Sequence, residues 1–174
     1  MAACVFDSTL MLLLTDSLAV APLPPEGIVD VAKRGADDLA RDRLNFLLET
    51  LDNARTDVVV PAPVLTELLA SAKTDVAATL GVIEGLARVR VEGFGQRAAI
   101  ECADMLRDTG RGIGSRTKIK FDHQIVAIAK VVRAIAVYSD DNDVKALCRR
   151  ESLECQGVWD LPARPADAQR KLDL

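Results

Sequence analysis

The spacing of apolar and polar residues predicts strands and helices in alternation along the chain. Short apolar or alternating runs predict strands at Ala2–Phe6, Asp57–Val60, Arg88–Glu92, Ala134–Tyr138 and Leu153–Val158. Between these runs, apolar residues recur at helical spacing and predict helices at Leu10–Leu14, Ala36–Asn53, Val64–Ala72, Val82–Ala87, Gln96–Asp108, from Asp122 onward, and at Val144–Arg150. This alternation predicts an α/β protein with a central parallel sheet of about five strands and helices on both faces.

Length and composition favour one domain with an aliphatic core. The chain has 174 residues, of which 49% are hydrophobic and only 3% aromatic, so Val, Leu, Ile and Ala have to fill the interior. We expect a single domain over residues 1–161 and a charged, Pro-punctuated tail over residues 162–174. A second Pro-rich segment, residues 21–35, reads as a loop.

The overall charge argues against a positive field over the whole surface that would attract nucleic acid. With 22 Lys and Arg against 26 Asp and Glu, the net charge is −4. One local exception is the segment Arg107–Lys120, which holds five basic side chains and one acidic one. The candidate phosphate contacts in this segment are Arg111, Arg116, Lys118 and Lys120. The alternative is that the segment is a solvated loop.

Neither the cysteines nor the first apolar stretch indicates export or a membrane. The four cysteines are scattered without a CxxC pair, which predicts buried reduced thiols and no zinc site. No Lys or Arg precedes Lys33, and Asp7 and Asp16 bracket the apolar run, so it differs from a signal peptide. No run is long enough to span a bilayer, and we expect a cytoplasmic protein.

Four acidic residues occupy positions where α/β proteins place ligands. Asp7 and Asp141 directly follow predicted strands, while Glu67 and Asp122 lie near the starts of predicted helices. Ligands of parallel sheets bind beyond the carboxyl ends of the strands, so we expect the four carboxylates along one edge. Converging carboxylates repel unless a cation neutralises them. Hard oxygen ligands favour Mg²⁺ or Mn²⁺, and the chemistry indicated is phosphodiester hydrolysis with a metal-activated water.

Each acid also has a simpler interpretation. Asp7 and Asp122 could be plain helix N-caps, Glu67 a solvated helix residue, and Asp141 part of an Asx-rich turn. The only histidine, His123, invites a role as a general base. However, one step along a helix turns a side chain by about 100°, which directs His123 away from Asp122.

Taken together, the acidic motifs resemble those of the PIN-domain family of metal-dependent ribonucleases, and the resemblance spans nearly the whole chain. The matching segments are Val5-Phe6-Asp7-Ser8-Thr9, Val64-Leu65-Thr66-Glu67, the helix from Phe121-Asp122, and Ser139-Asp140-Asp141-Asn142-Asp143-Val144. Ser139 stands where the family has Thr and keeps the hydroxyl that can hold a carboxylate. Val144 replaces an aromatic residue, and the Pro-rich loop is longer than a small toxin of this family needs.

The resemblance implies a PIN-like three-layer sandwich and an endoribonuclease that cuts single-stranded RNA with Mg²⁺ or Mn²⁺. It implies that the catalytic metal ligands are Asp7, Glu67, Asp122 and Asp141, with Asp143 as an auxiliary ligand. Because the family includes toxins of toxin–antitoxin pairs, it also implies an antitoxin partner and a homodimer. For the dimer, the leucine stripe Leu44, Leu47, Leu48 and Leu51 offers a surface if part of it is exposed.

Two other functions compete with this interpretation. A phosphate-accepting receiver domain also clusters acids at strand ends, but it needs an acidic pair after the first strand, where this chain has only Asp7. A non-catalytic PIN-like regulator that binds RNA or protein is the second alternative. Such scaffolds tend to lose acids, whereas all four are present here.

Overall fold

The computed structural model describes residues 2–28, 34–71, 76–108 and 116–165, and for residues 108 and 116–120 it describes the backbone alone. Strands and helices alternate as predicted. In chain order they are β1 (Ala3–Phe6), α1 (Ser8–Thr15), α2 (Ala36–Asn53), β2 (Asp57–Pro61), α3 (Ala62–Ser71), α4 (Val76–Gly85), β3 (Val89–Glu92), α5 (Gln96–Asp108), α6 (Arg116–Val131), β4 (Val137–Tyr138), α7 (Asn142–Arg150) and β5 (Cys155–Gln156), followed by a 3₁₀ turn at Val158–Asp160.

The sheet has five parallel strands in the order β3-β2-β1-β4-β5, which confirms the predicted fold class. The chain builds outward from β1 to β3 on one side, then crosses over to place β4 on the other side of β1. Val5 of β1 lies opposite both Val59 and Val137. The strand order therefore reverses between β1 and β4, where doubly wound sheets bind their ligands.

The central strands are short, apolar and buried on both faces. All four residues of β1 are buried, and Val58, Val59 and Val60 of β2 are at most 1% exposed. Such continuous β-branched runs are typical of parallel strands covered by helices on both sides. One aromatic contact joins Phe6 of β1 to Tyr138 of β4, edge to face with ring centroids 5.2 Å apart. The two residues are partners in the β1–β4 pairing.

Helix α2 has the predicted bounds, but its leucine stripe belongs to the core. Leu44, Leu47 and Leu51 are buried, and Leu48 packs against the core from a partly buried position. An ordinary helix that covers one face of a sheet has this pattern. The stripe therefore provides no exposed surface for a dimer, and that basis for a homodimer is wrong.

Helix α6 begins earlier than predicted. The sequence pattern starts this helix at Asp122, but its first residue is Arg116, so Asp122 lies in the second turn. The sequence pattern places Arg116, Lys118 and Lys120 before the helix, although all three have good helix propensity. Arg111 and the rest of residues 109–115 lie outside the described residues.

Arginines of α2 hold the irregular segments beside it. The guanidinium of Arg41 donates hydrogen bonds to the carbonyls of Leu13, Asp16, Ser17 and Ala19. Arg43 donates to the carbonyl of Leu161. Just beyond the predicted domain boundary, Arg164 bonds both carboxylate oxygens of Glu49, at 2.8 and 2.6 Å. The described start of the predicted tail is thus attached to α2.

No helix within the described ranges is both long and apolar enough to cross a membrane.

Candidate active site

Asp7 lies at the point where the strand order reverses. It follows β1 directly, its backbone N–H donates to the carbonyl of Tyr138 at 2.9 Å, and its carboxylate caps α1 by accepting the Ser8 N–H at 2.7 Å. The N-cap interpretation is thus correct for Asp7 but incomplete. Caps normally sit at the surface, whereas Asp7 is only 3% exposed. A buried carboxylate needs more partners than a cap supplies.

Ser139 provides the second partner of Asp7. This residue is fully buried at the end of β4, and its hydroxyl donates to Oδ2 of Asp7 at 2.6 Å. The hydroxyl oxygen of Ser139 also accepts the backbone N–H of Asp141 at 3.1 Å. One hydroxyl therefore connects the residues that follow β1 and β4, which is the carboxylate-holding contact expected of this position.

Like charges surround Asp7. Burial is the main cause that raises its pKa, while the hydrogen bonds from Ser139 and Ser8 lower it. The negative charges of Glu67 and Asp141 raise the pKa further. These carboxylates are therefore near enough to repel one another across the site. Glu67 reaches this region on α3, which starts where β2 ends and packs against α1.

Asp141 and Asp143 lie at the entrance of α7. Asp141 is its N-cap, and its Oδ1 accepts the backbone N–H of Asp143 at 2.7 Å. The turn interpretation of this segment is therefore also correct. The cap therefore uses Oδ1 of Asp141. Asp143 is exposed in the first turn of the helix.

Asp122 is half-buried in α6, which packs against the α3 helix that carries Glu67. Since α6 starts six residues earlier, at Arg116, Asp122 is not an N-cap. The adjacent His123 is 5% exposed and belongs to the buried face of the helix. The backbones of Arg116, Lys118 and Lys120 form the first turns of this same helix, N-terminal to Asp122.

The carboxylates do not enclose an ion as they lie. In the described part of the chain, no three Asp, Glu, His or Cys side chains are close enough together to hold a metal. The donor chemistry nevertheless suits a hard divalent cation, because Asp7, Glu67 and Asp141 offer only oxygen and the charges of Glu67 and Asp141 act on Asp7.

A second layer of contacts beneath the site was not predicted. The backbone N–H of Asp140 donates to the Thr9 hydroxyl at 3.1 Å, and Oδ1 of Asp140 accepts the N–H of Val158 at 3.0 Å. Burial is the main cause that raises the pKa of Asp140. A Cβ on Gly157 would collide with Oδ1 of Asp140 and with the Lys145 ammonium. Only the position of Asp140 next to Asp141 could have drawn attention to it; nothing in the sequence indicates Gly157.

Solved structures share this fold at low sequence identity. VapBC2 from Rickettsia felis, bound to a DNA fragment from its promoter, has a chain that is 14% identical over 89% of this chain and 98% of its own length, with a TM-score of 0.55. A chain of DNA-bound VapBC from Salmonella typhimurium gives 17% identity over 91% and 99%, with a TM-score of 0.54. A chain of VapBC-1 from nontypeable Haemophilus influenzae gives 18% over 90% and 98%, with a TM-score of 0.55.

These likenesses confirm the PIN-like fold that the acidic motifs suggested, and they extend over almost the whole described chain. At this level of identity they concern the fold alone. No protein-family model matches the sequence, and no curated protein matches it.

Proposed function

We propose that this chain is a metal-dependent endoribonuclease that hydrolyses phosphodiester bonds in single-stranded RNA. The observation that carries the proposal is the environment of Asp7. Its carboxylate is buried at the strand-order reversal, and the charges of Glu67 and Asp141 act on it. A fold that only needed a helix cap would not keep further acids beside it, since each costs folding free energy.

The proposed ligands of Mg²⁺ or Mn²⁺ are Asp7, Glu67, Asp122 and Asp141, with Asp143 as an auxiliary ligand. When bound, such an ion lowers the pKa of a coordinated water and offsets the negative charge that develops on phosphorus. Because no three of the described side chains enclose an ion as they lie, the proposal requires the carboxylates to turn toward a common point.

The residues of the chain have distinct parts in this proposal. Ser139 fixes the Asp7 carboxylate through Oδ2 and holds the backbone of Asp141, so it sets the geometry between two ligands. The core beneath the site, including the Phe6–Tyr138 ring pair, excludes water from the inner side of Asp7. Exclusion of water strengthens the electrostatic interactions of the carboxylates with a cation and with the phosphate.

The decisive experiment replaces carboxylates with amides, which keep the shape and remove the charge. Asp7→Asn and Asp122→Asn should abolish cleavage of labelled single-stranded RNA in the presence of Mg²⁺ or Mn²⁺. The loss should exceed the roughly 10- to 100-fold typical of groups that merely support a ligand. Chelation with EDTA should have the same effect on the unmodified protein.

Asp38→Asn is the matched control, because Asp38 is an exposed acid in the first turn of α2. It should cleave at the rate of the unmodified protein. Undiminished cleavage by Asp7→Asn, or cleavage in EDTA, would contradict the proposal. Metal-dependent RNA binding without cleavage would instead favour the non-catalytic regulator.

For substrate binding, we propose that Arg111, Arg116, Lys118 and Lys120 contact the RNA backbone. The position of three of them, on the turns of α6 that precede Asp122, supports this part. Each lost phosphate contact should reduce the salt dependence of binding to a single strand by about 0.7 in logarithmic slope. An unchanged slope for a Lys118→Ala, Lys120→Ala double variant, measured with a non-cleavable RNA, would refute it.

We also propose that the protein is a toxin neutralised by an antitoxin. The shared fold with chains of VapBC complexes supports this partner class. Co-purification with the product of an adjacent reading frame should suppress RNA cleavage, and full-rate cleavage by the complex would contradict the proposal. The homodimer implied by the family resemblance stays a prediction, to be measured by light scattering.

A further inference from the structure

The described cysteines include a neighbouring pair that the proposed nuclease does not use. Cys148 lies near the end of α7, and Cys155 lies in β5. A tight turn brings them together: the Leu153 N–H donates to the Cys148 carbonyl at 2.8 Å, and Ser152 adopts a left-handed φ of 57°. Each thiol acts on the pKa of the other. The turn thus places two free cysteines near each other, on elements that are in contact.

The two thiols have different surroundings. Cys148 is fully buried, whereas Cys155 is partly exposed. The Cys148 thiol and the nearby Lys145 ammonium lower the pKa of Cys155, although burial and the charges of Asp7 and Asp140 oppose this shift. The Cys155 thiol and burial raise the pKa of Cys148. An oxidant that arrives from solvent therefore meets the more nucleophilic sulfur first, with a second thiol directly behind it.

The remaining two cysteines lack this arrangement. The thiol of Cys4 is fully buried in β1 and donates to the carbonyl of Asp57 at 3.6 Å, and burial raises its pKa to about 12. Cys102 is buried in α5, and burial raises its pKa too. Both should react slowly, so they are internal references for the pair.

We propose that Cys148 and Cys155 form a reversible oxidation site for hydroperoxides. The Cys155 thiolate attacks the peroxide oxygen and breaks the O–O bond, which yields a sulfenic acid and releases hydroxide, or an alkoxide from an organic hydroperoxide. The Cys148 thiol then attacks the Cys155 sulfur, and a disulfide forms as the sulfenic oxygen leaves with the thiol proton as water. Two electrons pass from the thiols to the peroxide, and a dithiol reductant returns them by exchange.

This disulfide would link the last turn of α7 to β5. Because Asp141 is the N-cap of α7, the cross-link would attach the opposite end of that helix to the sheet. The chemistry itself needs neither RNA nor a metal. Its test is therefore independent of the proposed nuclease.

The test counts thiols in the full-length, fully reduced protein after exposure to a small excess of hydrogen peroxide. Of the four thiols in the chain, two should be lost and the mass should fall by two hydrogens, and dithiothreitol should restore both. Trypsin cuts after Arg149 and Arg150, between the two cysteines, so peptide mapping should find the Cys148 and Cys155 peptides joined. This mapping on the unmodified chain decides the proposal even if a variant fails to fold.

Serine variants separate the two steps. Cys148→Ser should stop at a sulfenic acid on Cys155 that reacts with dimedone, whereas Cys155→Ser should keep its three thiols. Cys102→Ser, the matched control, should still lose two. The proposal is overturned if the unmodified protein keeps all four thiols, forms its disulfide through Cys4 or Cys102, or ends as a sulfinic acid on Cys155 beside a free Cys148.

Discussion

Charged side chains are shielded from water in two regions of this molecule. One lies beside α2, and the other lies at the carboxyl ends of the neighbouring strands β1 and β4. On α2, the side chain of Arg164 is 9% exposed and meets the carboxylates of Glu49 and Asp42, with its guanidinium 5.3 Å from the Phe46 ring centroid. At the β1–β4 edge, Asp7 is 3% exposed and accepts hydrogen bonds from Ser139 and Ser8.

The difference is the sign of the surrounding charge. Opposite charge surrounds Arg164, whereas the charges that act on Asp7 are those of other carboxylates. Within the described residues, no lysine or arginine pairs with Asp7. Removal of one partner from a charge pair leaves the other charge uncompensated, while a charge buried beside like charges is itself unfavourable and is typical of functional sites. The two regions should therefore respond to loss of charge with opposite signs.

The largest effect on stability should come from Arg41 of α2, whose guanidinium satisfies four backbone carbonyls. We expect Arg41→Ala to lower the free energy of unfolding by about 2 to 3 kcal/mol, because it leaves several acceptors without a charged donor. Urea unfolding followed by circular dichroism measures this. The exposed Arg97 is the control, and Arg97→Ala should stay within about 0.5 kcal/mol of the unmodified protein. Equal losses for both variants would refute the anchoring role of Arg41.

A second prediction concerns how Asp7 is held. Ser139→Ala should lower RNA cleavage by roughly 10- to 100-fold, because groups that orient a ligand typically contribute this much. Ser139→Thr keeps the hydroxyl and should restore most of the activity. Rates and Mg²⁺ affinities of both variants measure the effect. If Ala and Thr variants cleaved equally well, the hydroxyl contact would have no part in the reaction.

The third prediction reverses the usual effect of a buried substitution. Near neutral pH, Asp7→Asn should raise the free energy of unfolding by about 1 kcal/mol, because it removes a charge held beside other carboxylates. The pKa of Asp7 is raised in the folded protein, so the folded state binds this proton more tightly than the unfolded state. The stability due to Asp7 is therefore present at low pH and is lost as pH rises from the ordinary carboxyl range through the raised pKa.

Urea unfolding over this pH range should show that decline in the unmodified protein and a flatter profile in Asp7→Asn. Glu84→Gln, which removes an exposed acid from α4, should follow the unmodified profile. If Asp7→Asn lowered the free energy of unfolding near neutral pH, the charges beside Asp7 would not be unfavourable as described.

Much of this protein could be predicted from local patterns. The continuous apolar runs of β1 and β2 predicted buried parallel strands, and the leucine spacing predicted the bounds of α2, because burial of one face imposes a short period on the sequence. Asp7 and Asp141 stood out because an acid directly after a buried strand is a local signal. For Ser139, the family resemblance implied a hydroxyl that can hold a carboxylate.

Tertiary structure decided the features that depend on residues far apart in sequence. The contacts of Asp140 with Thr9 and Val158 and the attachment of Arg164 to Glu49 join segments that no local period relates. The leucines of α2 show why. Their spacing predicts an apolar face but does not say what covers that face, which in the folded protein is the core on the sheet. In the same way, the sequence alone does not give the burial of an acidic residue or the charges around it. Only the folded structure shows that Asp7 is buried beside other carboxylates.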